Sequence, residues 1–116
     1  MRASSTTGCY LETGGLRWGR SHGGGWNVSW PFAQLRVTPA QITIRLNVLG
    51  VVRRTFTVAA GDLQRLEFRA GAGSLWSSLL LLHSDPSQPA VLIFWTFRPR
   101  TLQGALNRLG YRPIVP

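Results

Sequence analysis

Residues 90–110, AVLIFWTFRPRTLQGALNRLG, contain the change of hydrophobic period that decides the fold. Residues 91–97 are crowded with Val, Ile, Phe and Trp, which favour a pleated, buried strand. Proline suits the first position of a helix, so Pro99 marks a helix start, and Gly110 suits the left-handed residue that ends one. Between them, apolar residues recur at the three- and four-residue spacing of one helical face, namely Leu102, Ala105, Leu106 and Leu109. The stretch therefore predicts a strand that leads directly into a C-terminal amphipathic helix.

Further strands are indicated upstream, where apolar and polar residues alternate with a period of two. Ile42, Ile44 and Leu46, for example, are separated by single polar residues. Short turns that contain Gly, Pro or Asp separate these runs. About six strands are predicted in all, at residues 33–37, 42–48, 52–58, 66–68, 75–83 and 91–97. The sequence therefore predicts a mainly β (α+β) protein, with an antiparallel meander, a final hairpin and one C-terminal helix.

The ends of the chain lack these periods. Residues 1–25 hold seven of the 13 glycines and end in three consecutive ones, which predicts a flexible N-terminal tail. The folded domain is predicted at residues 26–112, and residues 113–116 are predicted to be a C-terminal tail. Since no secretory signal pattern and no apolar run of about 20 residues is present, we expect a cytoplasmic protein without a transmembrane segment.

The charge of the chain points to its partners. Thirteen arginines and no lysines stand against four acidic residues, which gives a net charge of +9 with neutral histidines. Such an excess favours anionic partners, among them nucleic acid and acidic lipid. Cys9 is the only cysteine, so no internal disulfide can form.

In the final hairpin, Leu75–Leu82 with Ala90–Phe97, residues 79–82 and 91–97 are apolar on both faces. An outer surface of Leu and Trp side chains must be covered. The segment that carries Trp18, Trp26 and Trp30 could cover it, a second copy of the chain could pack there, or it could receive a partner. We therefore expect the chain to form a homo-oligomer through this hairpin when its own N-terminal segment leaves the hairpin uncovered.

Catalysis is not expected from this inventory of side chains. No metal-ligand spacing is present, and neither a catalytic residue nor a cofactor is predicted. His83-Ser84-Asp85 contains the residue types of a catalytic triad, but neighbours along a chain cannot adopt its geometry. This segment is typical of a turn.

The order of elements and the ending VLIFWTFRPRTLQGALNRLG resemble those of a small bacterial pleckstrin-homology-like domain. The resemblance covers residues 26–112. It implies a strongly bent antiparallel sheet or split β-barrel, with the helix closing one open end. Phosphoinositide-binding members carry basic residues at the end of the first strand and at alternate positions of the second. Arg36 and Arg45 match two such places, whereas Thr43 stands where another basic residue is expected.

These observations predict a non-catalytic binding or adaptor module, cytoplasmic or peripheral to the membrane. Its basic surface would meet an acidic protein partner or an anionic membrane. Arg53 and Arg54 are consecutive, so the strand alternation allows only one of them to share a face with the others. Because arginines next to aromatic side chains also suit single-stranded nucleic acid, a nucleic-acid-binding β-barrel is the alternative. The candidate partner-binding residues are Arg36, Arg45, Arg53, Arg54, Trp26 and Trp30.

Overall fold

The computed structural model describes residues 8–19, 26–70 and 77–115. These contain seven strands, one α-helix and a short 3-10 turn at Ala60–Asp62. The strands are β1 (Tyr10–Gly19), β2 (Trp26–Val37), β3 (Gln41–Val48), β4 (Val52–Ala59), β5 (Leu63–Ala70), β6 (Ser77–His83) and β7 (Val91–Thr96). The helix is α1 (Pro99–Arg108).

The seven strands form one antiparallel sheet in the order β4-β3-β2-β1-β7-β6-β5, which curls into a half-barrel. The mainly β fold with a C-terminal helix is therefore confirmed. β1 joins the two halves, since it pairs with β2 on one side and with β7 on the other. Its register against β2 shifts between Gly14 and Leu16, as at a β-bulge, and such bulges bend a strand.

The presence of β1 corrects the prediction of a flexible tail over residues 1–25. Tyr10–Gly19 is a central strand whose Leu16 and Trp18 are buried in the core. Gly14 and Gly15 interrupt the alternation of apolar and polar residues where the register against β2 shifts. The stretch with a period of two is therefore too short to be recognised in the sequence. The folded region consequently begins well before residue 26. The other parts of the predicted tail, residues 1–7 and 20–25, lie outside the described residues.

The helix is docked as its spacing predicts. Leu102, Ala105 and Leu106 are buried, and two of them join the core cluster formed by the inward side chains of the strands. The helix ends in a Schellman motif: Gly110 has φ +98°, its N–H donates to the Asn107 carbonyl, and Tyr111 N–H donates to the Leu106 carbonyl. These bonds satisfy carbonyls that the end of a helix leaves unpaired.

The predicted C-terminal tail, 113–116, is also wrong in part. Ile114 forms a parallel bridge with Glu67 on the edge strand β5. Its N–H donates to the Leu66 carbonyl at 2.7 Å, and its carbonyl accepts from Phe68 N–H at 2.8 Å. An edge strand presents unpaired backbone groups, and this short bridge satisfies two of them.

The β6–β7 hairpin carries apolar side chains on both faces, as expected. On the face away from the core, Leu80 and Val91 are buried, and Leu82, Ile93 and Trp95 are half-buried. Trp18 belongs to the core cluster, so it does not cover this outer side. Self-association through the hairpin stays a prediction.

Candidate functional site

The outer face of β2, β3 and β4 is the candidate binding surface. We define it as the side of these strands that points away from the core. Alternation buries the inward side chains, among them Leu35, Ile44 and Phe56, and turns the intervening ones outward. The outward side chains are Gln34 and Arg36 on β2, Thr43, Arg45 and Asn47 on β3, and Arg53, Thr55 and Thr57 on β4.

Three of the predicted arginines lie on this face in a diagonal row. Arg45 pairs with Gln34 on β2 and with Thr55 on β4. Arg36 and Arg53 each stand two residues along from those partners, so they are the diagonal neighbours of Arg45 on either side. Diagonal neighbours in a sheet are about 7–8 Å apart, within reach of long side chains. The fold therefore brings Arg36, Arg45 and Arg53 together.

No carboxylate side chain pairs with these three arginines in the described part of the chain. All four acidic residues are described and lie elsewhere. Glu67 forms ion pairs with Arg65 at 2.8 Å and Arg69 at 3.7 Å, and these contacts hold its pKa below the usual range. The other three are a buried Glu12, Asp62 in the 3-10 turn, and Asp85 in the turn before β7.

Arg54 lies on the opposite side of β4 from Arg53. Its guanidinium lies 4.9 Å from the ring centroid of Phe56 and 5.8 Å from that of Trp18, within the range of cation–π contacts. The expectation that only one of the two arginines shares the face of Arg45 is confirmed by the register. Arg54 therefore packs over aromatic rings of the core instead of joining the row.

The two predicted tryptophans lie at different places. Trp26 pairs with Trp18 across β1 and β2 and is 72% exposed, and it lines a groove with Arg54. Trp30 is 55% exposed and contacts Phe97 edge-on, with 6.4 Å between ring centroids. The groove beside Trp30 shares Leu11 and Gln34 with the groove that contains Arg36 and Arg45. Trp30 thus borders the arginine row, whereas Trp26 does not.

Phe97 was not among the residues predicted for the site. Its partner Trp30 precedes the cis peptide bond to Pro31, and the two aromatic rings come from distant parts of the chain. The available signal was the alternation of the strand predicted at residues 91–97, which puts Phe97 two positions after Trp95 and therefore on the same predicted side.

The extra strand also changes the comparison with phosphoinositide-binding domains. Arg36 lies on the second strand and Arg45 on the third, so neither occupies the place that the resemblance assigned to it. Arg17 lies near the end of β1, the first strand of the described residues. The loop that follows, residues 20–25, lies outside the described residues.

His83 is the last residue of β6, and Ser84 and Asp85 lead from it into the turn before β7. Asp85 N–H donates to His83 Nδ1 at 3.1 Å, so the other ring nitrogen, Nε2, carries the proton and donates to the Pro89 carbonyl at 2.6 Å. Hydrogen bonds from the hydroxyl and the N–H of Ser87 lower the pKa of the Asp85 carboxyl. Both ring nitrogens of His83 are therefore hydrogen-bonded to backbone groups. Within the described residues, no three His, Cys, Asp or Glu side chains lie close enough together to hold a metal ion.

No protein-family model matches the chain, and no curated protein matches it. Among the described residues, no helix combines the length and the apolar character needed to cross a membrane.

Proposed function

We propose that the chain is a non-catalytic binding module of the pleckstrin-homology-like kind, whose outer face receives an anionic membrane surface or an acidic protein partner. The observation that carries the proposal is the row of Arg36, Arg45 and Arg53. These three arginines are exposed, lack ion pairs among the described residues, and share their face with uncharged side chains. Unpaired guanidinium groups are suited to carboxylates and phosphates, which they bind with two parallel hydrogen bonds.

The arrangement favours a distributed anionic surface over one small, multiply charged head group. The three arginines come from three different strands and form a diagonal row along a broad sheet face, so their charge is presented along a line. An arginine near an acidic membrane contributes about 1 kcal/mol, which gives about 3 kcal/mol for the row. A millimolar affinity needs about 4.1 kcal/mol. The arginines therefore supply attraction and orientation, and a further contact must supply the rest.

Vesicle sedimentation tests the proposal. The full chain is mixed with vesicles of equal parts phosphatidylserine and phosphatidylcholine, with pure phosphatidylcholine vesicles, and with polyglutamate. Binding to an anionic probe should fall between about 0.05 and 0.15 M salt, because screening lengths shorten over this range. The variant Arg36→Gln/Arg45→Gln should weaken binding by about 2 kcal/mol, or roughly 30-fold.

The matched control is Arg65→Gln/Arg69→Gln. It removes the same charge from β5, where both arginines already pair with Glu67. Equal losses in the two variants would mean that net charge alone governs binding, and no binding to any anionic probe would reject the proposal.

Single-stranded nucleic acid is the second candidate, and the Trp30–Phe97 pair is what favours it. An exposed aromatic pair beside a row of arginines can stack bases while the guanidinium groups contact phosphates. Titration with a random oligonucleotide tests it: Trp30→Ala should weaken binding, while Trp26→Ala, outside the row, should not. Tight oligonucleotide binding without vesicle or polyglutamate binding would replace the first proposal with this one.

A further inference from the structure

A run of exposed apolar side chains lies at the turn between β3 and β4. We name residues 49–52 the hairpin tip. Leu49 is 82% exposed and Val51 is 86% exposed, and Val52 is also exposed. Of the described residues, these form the densest run of exposed large apolar side chains. Packing against the rest of the described chain therefore does not account for their apolar character.

Backbone geometry does not account for Leu49 either. Val51 N–H donates to the Val48 carbonyl at 2.9 Å, and Gly50 N–H donates to Asn47 Oδ1 at 2.9 Å. Leu49 has φ +53° and Gly50 has φ +75°, the signs of a type I′ hairpin turn. Such turns favour Asn-Gly, since a bulky side chain is disfavoured in the left-handed region. A leucine here is therefore neither buried nor favoured by the local conformation.

Arginine side chains lie next to the tip on both sides of the hairpin. Arg53 pairs with Asn47 just behind the turn, on the side of Arg45, and Arg54 follows on the opposite side. No acidic residue occurs between Glu12 and Asp62. An apolar end with a cationic base and no nearby carboxylate matches the interface of an anionic bilayer, where acyl chains lie beneath negative head groups.

We propose that the hairpin tip inserts Leu49 and Val51 into the head-group boundary of an anionic membrane, with Arg45 and Arg53 contacting the lipid head groups. This inference rests on the proposed function and chooses the membrane as the partner. A second copy of the chain fits less well, because a stable dimer buries about 800 Å² on each partner and three side chains at a narrow turn offer far less. Insertion of the tip is the further contact that the arginine row needs.

The test compares the full chain with the variant Leu49→Asn/Val51→Ser. Asparagine is favoured in the left-handed region, so the variant keeps the turn while removing the apolar groups. On vesicles of equal parts phosphatidylserine and phosphatidylcholine, its partition coefficient should fall at least about tenfold, because burial of one aliphatic side chain is worth a factor of about ten or more. Val115→Ser, which removes an exposed apolar side chain elsewhere, is the control and should bind as the original chain does.

A label locates the contact directly. In a Cys9→Ser background, Leu49→Cys and Ser87→Cys each supply one site for an environment-sensitive fluorophore. Emission should shift to the blue on adding vesicles for the label at position 49 and should stay unchanged for the label at position 87.

A loss of binding in the tip variant with a blue shift at position 49 supports the inference. If the tip variant binds vesicles as tightly as the original chain, the inference is overturned while the proposed function stands. If the original chain binds polyglutamate but no vesicle, the inference is overturned in favour of an acidic protein partner. If it binds only oligonucleotides, both proposals are rejected.

Discussion

The Tyr10 hydroxyl donates a 2.6 Å hydrogen bond to Glu12 Oε1, two residues further along β1. The other carboxylate oxygen of Glu12 accepts from the Thr96 hydroxyl, which in turn accepts from Arg98 N–H at 2.9 Å. Glu12 is buried and forms no ion pair among the described residues. One carboxylate therefore connects β1 to the end of β7 and to the residue that precedes α1.

Replacing Glu12 by alanine should destabilise the fold. The hydroxyls of Tyr10 and Thr96 would lose their acceptor, and a buried polar group left unsatisfied costs about 1–3 kcal/mol. The free energy of unfolding from urea titration measures the effect. Thr13→Ala, at an exposed neighbouring position on β1, is the control and should change little. Equal stabilities of the two variants would contradict the docking of β1.

Stability should fall at alkaline pH because of two tyrosines. Burial, the hydrogen bond to Glu12 and the charge of Glu12 raise the pKa of Tyr10 above its usual 10.0, although Arg98 and Arg108 oppose the shift. Burial likewise raises the pKa of Tyr111, whose hydroxyl donates to the Thr38 carbonyl at 2.7 Å.

Since the folded state favours the protonated tyrosines, their stabilisation is complete below pH 10 and is lost as the pH rises above it. Urea unfolding between about pH 8 and 11 should show this loss around the usual tyrosine pKa. The variant Tyr10→Phe/Tyr111→Phe, which cannot ionise at either position, should lose less stability over the same range. A parallel decline in both proteins would exclude these tyrosines as the cause.

Two glycine-to-alanine changes should have opposite effects. A Cβ at Gly14 would meet the Trp95 carbonyl oxygen and would lie 2.6 Å from Phe94 Cζ, so Gly14→Ala should destabilise by about 1–3 kcal/mol or more. A Cβ at Gly104 in α1 would meet nothing within 4 Å, and alanine is the better helix former, so Gly104→Ala should stabilise by about 0.5–1 kcal/mol. Thermal unfolding measures both, and a tolerated Gly14→Ala would contradict the close approach of β1 to β7.

The helix should be essential for stability. Leu102 and Leu106 are fully buried, so each change to alanine should cost about 2–5 kcal/mol. Asn107→Ala, on the exposed side of the same helix, is the control. If truncation before Pro99 left thermal unfolding unchanged, α1 would not be docked on the sheet.

Much of the fold follows from local patterns in the sequence. The alternation through Ile42, Ile44 and Leu46 predicts β3 with its inward and outward sides, and the spacing of Leu102 and Leu106 predicts the buried side of α1. The opposite directions of Arg53 and Arg54 also follow from alternation, because successive side chains of a strand point to opposite faces. Such properties depend on residues two to four positions apart, and the sequence alone determined them.

Only the tertiary structure determined which residues that are distant in the sequence contact each other. β1 is a strand because its two neighbours, β2 and β7, supply its backbone partners and Leu16 is buried in the core. Its own glycine-interrupted sequence is too irregular to indicate a strand. Thr96 reaches Glu12 across 84 positions of sequence, and Arg54 packs over Trp18 rather than joining the arginine row. Long-range strand pairing fixes these contacts, and no pattern of near neighbours contains that information.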